Sequence, residues 1–124
     1  MKRNTRQREV LREVFTSAGR PLSPQEVAVL AQVAIPSLGI ATVYRALKEF
    51  VEEGWLVAVG VAGGTRYELA DIGHHHHFYC RDCDKTFDIA GCRGNLRGLV
   101  PKGFVIASHE LTINGTCRSC AERR

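Results

Sequence analysis

Apolar residues recur at three- and four-residue intervals through the first fifty positions, and then the pattern changes to alternation. Val10, Leu11, Val14 and Phe15 predict a helix over 5–17, with Thr5 as its N-cap. Gly19-Arg20-Pro21 ends it. Ser23-Pro24-Gln25-Glu26 then carries a full helix-start signal: a capping serine, proline at the first helical position and a glutamate that closes a capping box. Val27, Leu30, Ala31 and Val33 give this second helix its apolar stripe. Ile35-Pro36-Ser37-Leu38-Gly39 breaks the chain, and a third helix is expected over 40–53. Val43, Leu47, Phe50 and Val51 face inward there, and Gly54 stops it. Two short β-rich runs, 55–59 and 65–69, flank Gly63-Gly64 and predict a hairpin.

Three helices and a hairpin make a winged-helix arrangement, in which the third helix enters the major groove and the hairpin is the wing. Ala41, Thr42, Tyr44, Arg45 and Lys48 lie off the apolar stripe of that helix. Thr42 and Tyr44 can touch a thymine methyl or a phosphate, and Arg45 a phosphate or a guanine edge. An ordinary surface helix with Tyr44 buried fits the same pattern.

Beyond residue 70 the pattern is one of short strands. Phe78-Tyr79-Cys80 and Lys85–Ile89 flank a turn, 95–100 suggests a helical piece, and 104–113 alternates as one long strand. The expected fold class is therefore α+β. It comprises a winged-helix DNA-binding domain (1–70), a hinge (71–73) and a small α/β dimerisation domain (74–124). The last holds a three-stranded antiparallel sheet and a four-cysteine zinc site.

Charge sharpens the first half. The basic residues Lys2, Arg3, Arg6, Arg8, Arg12 and Arg20 face only Glu9 and Glu13, a balance equal to the +4 of the whole chain. This suits contact with an anionic polymer, and equally a solvated basic helix face. No stretch approaches the length of a membrane span, and the N-terminus lacks the apolar core of a signal peptide. The expectation is a cytoplasmic protein without a membrane partner.

Candidate chemistry gathers in the second half. Cys80/Cys83 and Cys117/Cys120 form two Cys-x-x-Cys pairs. Each spacing lets two thiolates reach one ion, and two pairs complete a zinc tetrahedron. Five cysteines, an odd number, without an export signal argue against disulfides. Redox pairs and unmetallated thiols are the competing readings. Cys92 is left over, either as an apolar filler or as an extra ligand. His74-His75-His76-His77 runs directly into Cys80. In an extended segment His75 and His77 point to one side and His74 and His76 to the other, so the run feeds two sites. Glu68, Asp88 and His109 are candidate partners. A mixed imidazole and carboxylate set suits Fe²⁺, Mn²⁺, Co²⁺ or Zn²⁺.

Taken together, these parts resemble the ferric uptake regulator family of bacterial metal-dependent repressors. The resemblance rests on Thr5, Arg8, Val10 and Leu11, and on Gly39-Ile40-Ala41-Thr42-Val43-Tyr44-Arg45-Ala46-Leu47. Arg66-Tyr67-Glu68-Leu69, the histidine run into Cys80-x-x-Cys83, and Gly115-x-Cys117-x-x-Cys120 complete it. It implies a homodimer on double-stranded palindromic operator DNA and structural zinc at Cys80, Cys83, Cys117 and Cys120. It implies a regulatory Zn²⁺ or Fe²⁺ (or Mn²⁺) at Glu68, His75, His77 and Asp88, and a second site at His74, His76 and His109. Tyr44 and Arg45 match recognition-helix contacts, and Arg3 a residue that enters the minor groove. Two positions depart from the family pattern. Pro21 stands where a hinge-site histidine is common, leaving no obvious ligand from the DNA-binding domain. Asn95 stands where a second-site glutamate is common, and Cys92 can substitute, in a set that favours zinc. Among the family's branches, the expectation is control of zinc or iron homeostasis genes, with a peroxide-sensing Fe/Mn-dependent repressor as the alternative that stays open. Also open are a metal-dependent hydrolase, for which the sequence offers no separate catalytic motif, and a zinc-ribbon interaction module or metal buffer, which leaves Thr42, Tyr44, Arg45 and Arg3 unexplained.

Overall fold

In the computed structural model, residues 2–70, 75–90 and 96–123 are described, with side chains from Thr5 onward. His74, Cys92 and Asn95 lie outside the described residues, as does the side chain of Arg3. Helix α1 covers Lys2–Ala18, α2 Pro24–Ala31 and α3 Ile40–Glu52. Thr5 lies inside α1 and does not cap it. Helix α2 starts as its sequence predicts: the Ser23 hydroxyl accepts from the Glu26 amide, and the Glu26 carboxylate accepts from the Ser23 amide. It ends at Ala31, which leaves Val33 outside the stripe and 85% exposed. Gly54 follows α3 with φ of 81°, a left-handed turn that glycine adopts without strain.

Strands β1 (Leu56–Val61) and β2 (Gly64–Leu69) pair antiparallel as the wing. Leu22 bridges Tyr67, which fastens the wing to the segment before α2. The hydrophobic core lies between the helices and the base of the wing. Leu11, Phe15, Leu22, Val27, Val43, Leu47, Phe50 and Leu56 are all but fully buried there. Trp55 meets Phe50 edge-on at 5.0 Å and Phe15 at 6.0 Å.

The second sheet has the order β4-β3-β5, from β3 (His75–Cys80), β4 (Thr86–Ala90) and β5 (Thr112–Gly115). Strands β3 and β4 pair antiparallel, whereas β3 and β5 run parallel. The sheet is therefore mixed, where the sequence led us to expect a purely antiparallel one. Alternation has the same period in both kinds of ladder, so it cannot set strand direction. The long strand expected over 104–113 shortens to 112–115. Residues 104–111 form no ladder, and Phe104 and Val105 on its two faces are 66% and 93% exposed. A 3₁₀ turn, Leu96–Leu99, stands where a helical piece was expected, and a short helix α4 (Arg118–Glu122) ends the fold.

Apolar burial is uneven. Beyond residue 70, the buried apolar residues among those described are Tyr79, Cys80 and Cys120. A unit with so small a core needs a metal, a partner or both.

Helix α3 separates structural from exposed positions. Phe50→Ala is expected to lower stability by about 3–5 kcal/mol, whereas Tyr44→Ala, on the opposite face, changes it by about 0.5 kcal/mol or less. Chemical denaturation of both variants tests this, and a comparable loss in Tyr44→Ala would contradict the assignment of faces.

Candidate metal centres and nucleic-acid face

Parallel pairing of β3 and β5 brings the two Cys-x-x-Cys turns together. Cys80 lies opposite Gly115, so both strands end at the same edge of the sheet and both turns begin there. An antiparallel pair would have sent them to opposite ends. All four thiols are free, with their sulfurs within 4.8 Å of one another. Zinc–sulfur bonds of about 2.3 Å in a tetrahedron place the sulfurs about 3.8 Å apart. Cys83 Sγ and Cys117 Sγ are 3.8 Å apart. The Cys117 amide donates to Cys80 Sγ at 3.3 Å, and Arg123 donates to Cys120 Sγ at 3.1 Å.

The thiols are not equivalent. Backbone amides, that of Cys117 foremost, pull the Cys80 thiol down to about 6. Burial pushes the Cys83 thiol up to about 12 and raises that of Cys120. Four thiolates so close cannot all ionise without a compensating cation, and a divalent ion supplies that charge. The donor set fits zinc.

A second cluster forms where the wing meets β3. Two features of strand geometry build it. His77 lies opposite Asp88 on β4, with His75 two residues along the same face. On β2, Glu68 points toward that face. His75 Nε2 is 2.9 Å and His77 Nε2 2.8 Å from the same oxygen, Glu68 Oε1. Asp88 Oδ1 lies 3.2 Å from His75 Nε2 and 3.5 Å from His77 Nε2. One ligand atom from each of the four residues lies within 4.8 Å of every other. Glu68 is buried, and its Oε2 has no hydrogen-bond partner among the described residues. Burial first, and then the neighbouring Glu68 carboxyl, push Asp88 up to about 6. Two carboxylates and two imidazoles converging on one point, with a buried oxygen to spare, fit a divalent cation. A cavity of about 390 Å³ opens onto the cluster and gives an ion a route in.

Glu68 also answers the question raised by Pro21. Pro21 is buried and offers no ligand, and its neighbour Arg20 reaches the C-terminal unit differently, with its guanidinium 5.9 Å from the Phe87 ring. The N-terminal half does bring one carboxylate to the cluster, that of Glu68 in the second wing strand.

Of the second predicted set, His76 and His109 meet with ring centroids 5.0 Å apart, on the sheet face opposite His75 and His77. His74 and Cys92, the other members, are not among the described residues.

On α3, Tyr44, Arg45 and Lys48 share an exposed face, with Thr42 partly buried beside them. Tyr44 is 46% exposed, which removes the reading that buries it. The Arg45 guanidinium rests on Thr42 Oγ1 at 3.2 Å, and Gln25 of α2 donates to the Tyr44 hydroxyl at 3.3 Å. Sequence reasoning missed Arg66. It is fully buried against the Cys80–Cys83 turn, and the sequence singled it out only as part of the Arg66-Tyr67-Glu68-Leu69 run on an alternating strand.

A family model described as the ferric uptake regulator family matches residues 2–114. The ferric uptake regulation protein of Campylobacter jejuni is 30% identical over 126 residues, spanning 97% of this chain and 80% of that protein. The solved structure of the Helicobacter pylori ferric uptake regulator, described as revealing three functional metal-binding sites, superposes with a TM-score of 0.70. It is 25% identical and covers 97% of this chain and 85% of its own. FurB of M. tuberculosis, a zinc uptake regulator, is 27% identical with a TM-score of 0.54, covering 95% of each chain. On the strength of the family match and the C. jejuni relative, the chain belongs to the ferric uptake regulator family of transcription regulators.

Proposed function

We propose that the protein is a metal-responsive transcriptional repressor that acts in the cytoplasm as a homodimer on a palindromic operator. In this reading Cys80, Cys83, Cys117 and Cys120 hold structural zinc. Glu68, His75, His77 and Asp88 hold a regulatory ion, Zn²⁺ or Fe²⁺, with Mn²⁺ as a third candidate. The observation that carries the reading is the origin of those four ligands: one belongs to the wing and three to the sheet behind it. His76 and His109 support a second site completed by His74 and Cys92. The exposed run from Phe104 to Ile106, with Leu111 and Ile113, supports a subunit interface in the C-terminal unit, the proposed domain 74–124.

A divalent ion supplies, when bound, the charge that lets two carboxylates and two imidazoles share one small volume. Glu68 then holds β2 against β3, and the angle between α3 and the dimer unit becomes fixed. Half-sites on B-DNA sit at set helical spacings, so only one angle lets both copies of α3 enter the groove. Tyr44, Arg45 and Lys48 face the DNA there, with Thr42 supporting Arg45, and Arg3 follows the backbone into the neighbouring minor groove. With the ion gone, Glu68 and Asp88 repel and the Glu68 end of the wing is free to swing away from β3.

Operator affinity is expected to rise about 5–150-fold when a regulatory ion is added to protein that retains its four-cysteine zinc. Titration of operator binding with Zn²⁺, Fe²⁺ and Mn²⁺ tests this and ranks the metals; indifference to all three would refute the switch. Cys80→Ser is expected to lose zinc and dimerisation together, and a stable zinc-free dimer, seen by metal analysis and sedimentation, would contradict that. Acid should empty the regulatory site. Asp88, with its carboxyl at about 6, is ionised above that pH and protonated below it. An ion needs the ionised form, so affinity falls as pH drops through about 6, by roughly ten-fold per pH unit for one proton. Mn²⁺ binding measured from pH 5 to 8 checks this, and a flat profile would exclude Asp88 as a ligand.

A further inference from the structure

Arg66 is a charged side chain in a place that normally excludes one. It is 2% exposed, and its Nε has no hydrogen-bond partner among the described residues. Burying a guanidinium incompletely satisfied costs stability that an apolar side chain of similar length would not cost. Its remaining bonds divide between the wing turn, through Nη1, and Asp84, through Nη2. Nη2 reaches the main-chain oxygen of Asp84 at 2.8 Å and Asp84 Oδ1 at 2.9 Å, and Nη1 reaches the carbonyl of Gly63 at 3.3 Å. The Tyr79 hydroxyl donates to the same Asp84 oxygen, and its ring lies 5.9 Å from the guanidinium.

Asp84 stands immediately after Cys83, in a left-handed turn with φ of 65°, and its amide bonds back to the Cys80 carbonyl. It is thus part of the turn that carries Cys80 and Cys83. Arg66 and Glu68 are two residues apart on β2, so their side chains leave the strand on one face. One ties β2 to the first cysteine turn, and the other reaches His75 and His77. Gly63 fits the same contact: a Cβ there would overlap Asp84 Oδ1, and would lie 2.6 Å from the Tyr79 hydroxyl and 2.8 Å from Arg66 Nη2. Only glycine lets the wing turn approach the latch this closely.

We propose that Arg66 is the positioning residue of the regulatory metal cluster. Anchored on Asp84 of the Cys80–Cys83 turn, it holds β2 at the distance from β3 that places Glu68 among His75, His77 and Asp88. The inference rests on the metal-binding reading of that cluster. Without the latch, β2 samples positions in which Glu68 stands away from the imidazoles, and apparent affinity falls by the fraction of molecules left competent. Asp84 is 61% exposed, so its charge contributes little by itself. The main-chain oxygen carries the larger share.

The graded test follows from that difference. In protein with its four-cysteine zinc in place, Arg66→Met is expected to weaken Co²⁺ binding at the cluster about ten-fold. Asp84→Asn, which keeps the carbonyl bond, should weaken it only about two- to three-fold, and Gly63→Ala should fall between the two. Co²⁺ titration followed by visible absorption reads the affinity, and zinc content confirms the four-cysteine centre. A purely structural loss would lower the melting temperature of the metal-free protein and leave the affinity, measured well below that temperature, unchanged. That result in all three variants overturns the inference. Where Arg66→Met does not fold, Gly63→Ala and Asp84→Asn carry the same test. Failure of the parent protein to bind Co²⁺ at the cluster would overturn the metal reading and this inference together.

Discussion

Strand β2 packs two ways at once, and the rest of the molecule depends on it. Alternate side chains of a strand leave on opposite faces. Tyr67 and Leu69 pack against the helical core, and Tyr67 also pairs through its backbone with Leu22. Arg66 and Glu68 are buried on the other face, against Asp84 and the histidines of β3. A slip of one residue would exchange the two sets, placing charges in the core and aromatic surface at the metal cluster. Six paired positions with β1, Leu56 opposite Leu69 through Val61 opposite Gly64, fix the register. The contacts of Glu68 with His75 and His77 therefore link the winged helix to β3.

The two halves are held together by different physics. Residues up to Leu56 supply the hydrophobic core cluster, so that half is stabilised chiefly by apolar burial. Beyond residue 70 the buried groups are largely polar or ligating: His76, Thr86, Cys80 and Cys120, with Tyr79 the one large ring among the described residues. Such groups cost free energy to desolvate unless each finds its partner. The stability of the second half is therefore conditional on its ligands, and conditional stability is what a sensor requires. Anything that binds the assembled form alone shifts the population toward it.

Much of this was legible in the sequence where the governing interaction is local. The capping box before α2, the apolar stripe of α3, the wing hairpin and the separation of His75/His77 from His76 follow from short-range rules, and the structure agrees with each. The four cysteines were legible because their spacing is set by the reach of two thiolates to one ion. What was illegible depends on distant partners. Alternation over 104–113 shows that a segment can lie extended, but a strand needs an edge to pair with, and among the described residues only 112–115 find one. Arg66 stood in the sequence only as part of the Arg66-Tyr67-Glu68-Leu69 run, because nothing local reveals that Asp84 will lie against it. Pro21 read as the loss of the ligand from the DNA-binding half, although Glu68, within 1–70, already stood among the candidate ligands.

The direction of β5 then decides how the two metal centres relate. With β5 parallel to β3, both cysteine turns gather at the far end of β3, and His75 and His77 sit near its beginning. One six-residue strand thus spans from the regulatory cluster to the staple. Strand β2 runs alongside the same span, touching the cluster through Glu68 and the cysteine turn through Arg66. Two attachments along one strand resist rotation where a single one would act as a pivot. In the proposed metal site Glu68 is the attachment that would depend on metal, while Arg66 is held by the cysteine turn. In the proposed switch the wing therefore keeps one contact in either state, and the change assigned to the ion is a limited swing about Arg66, not a detachment of the DNA-binding half.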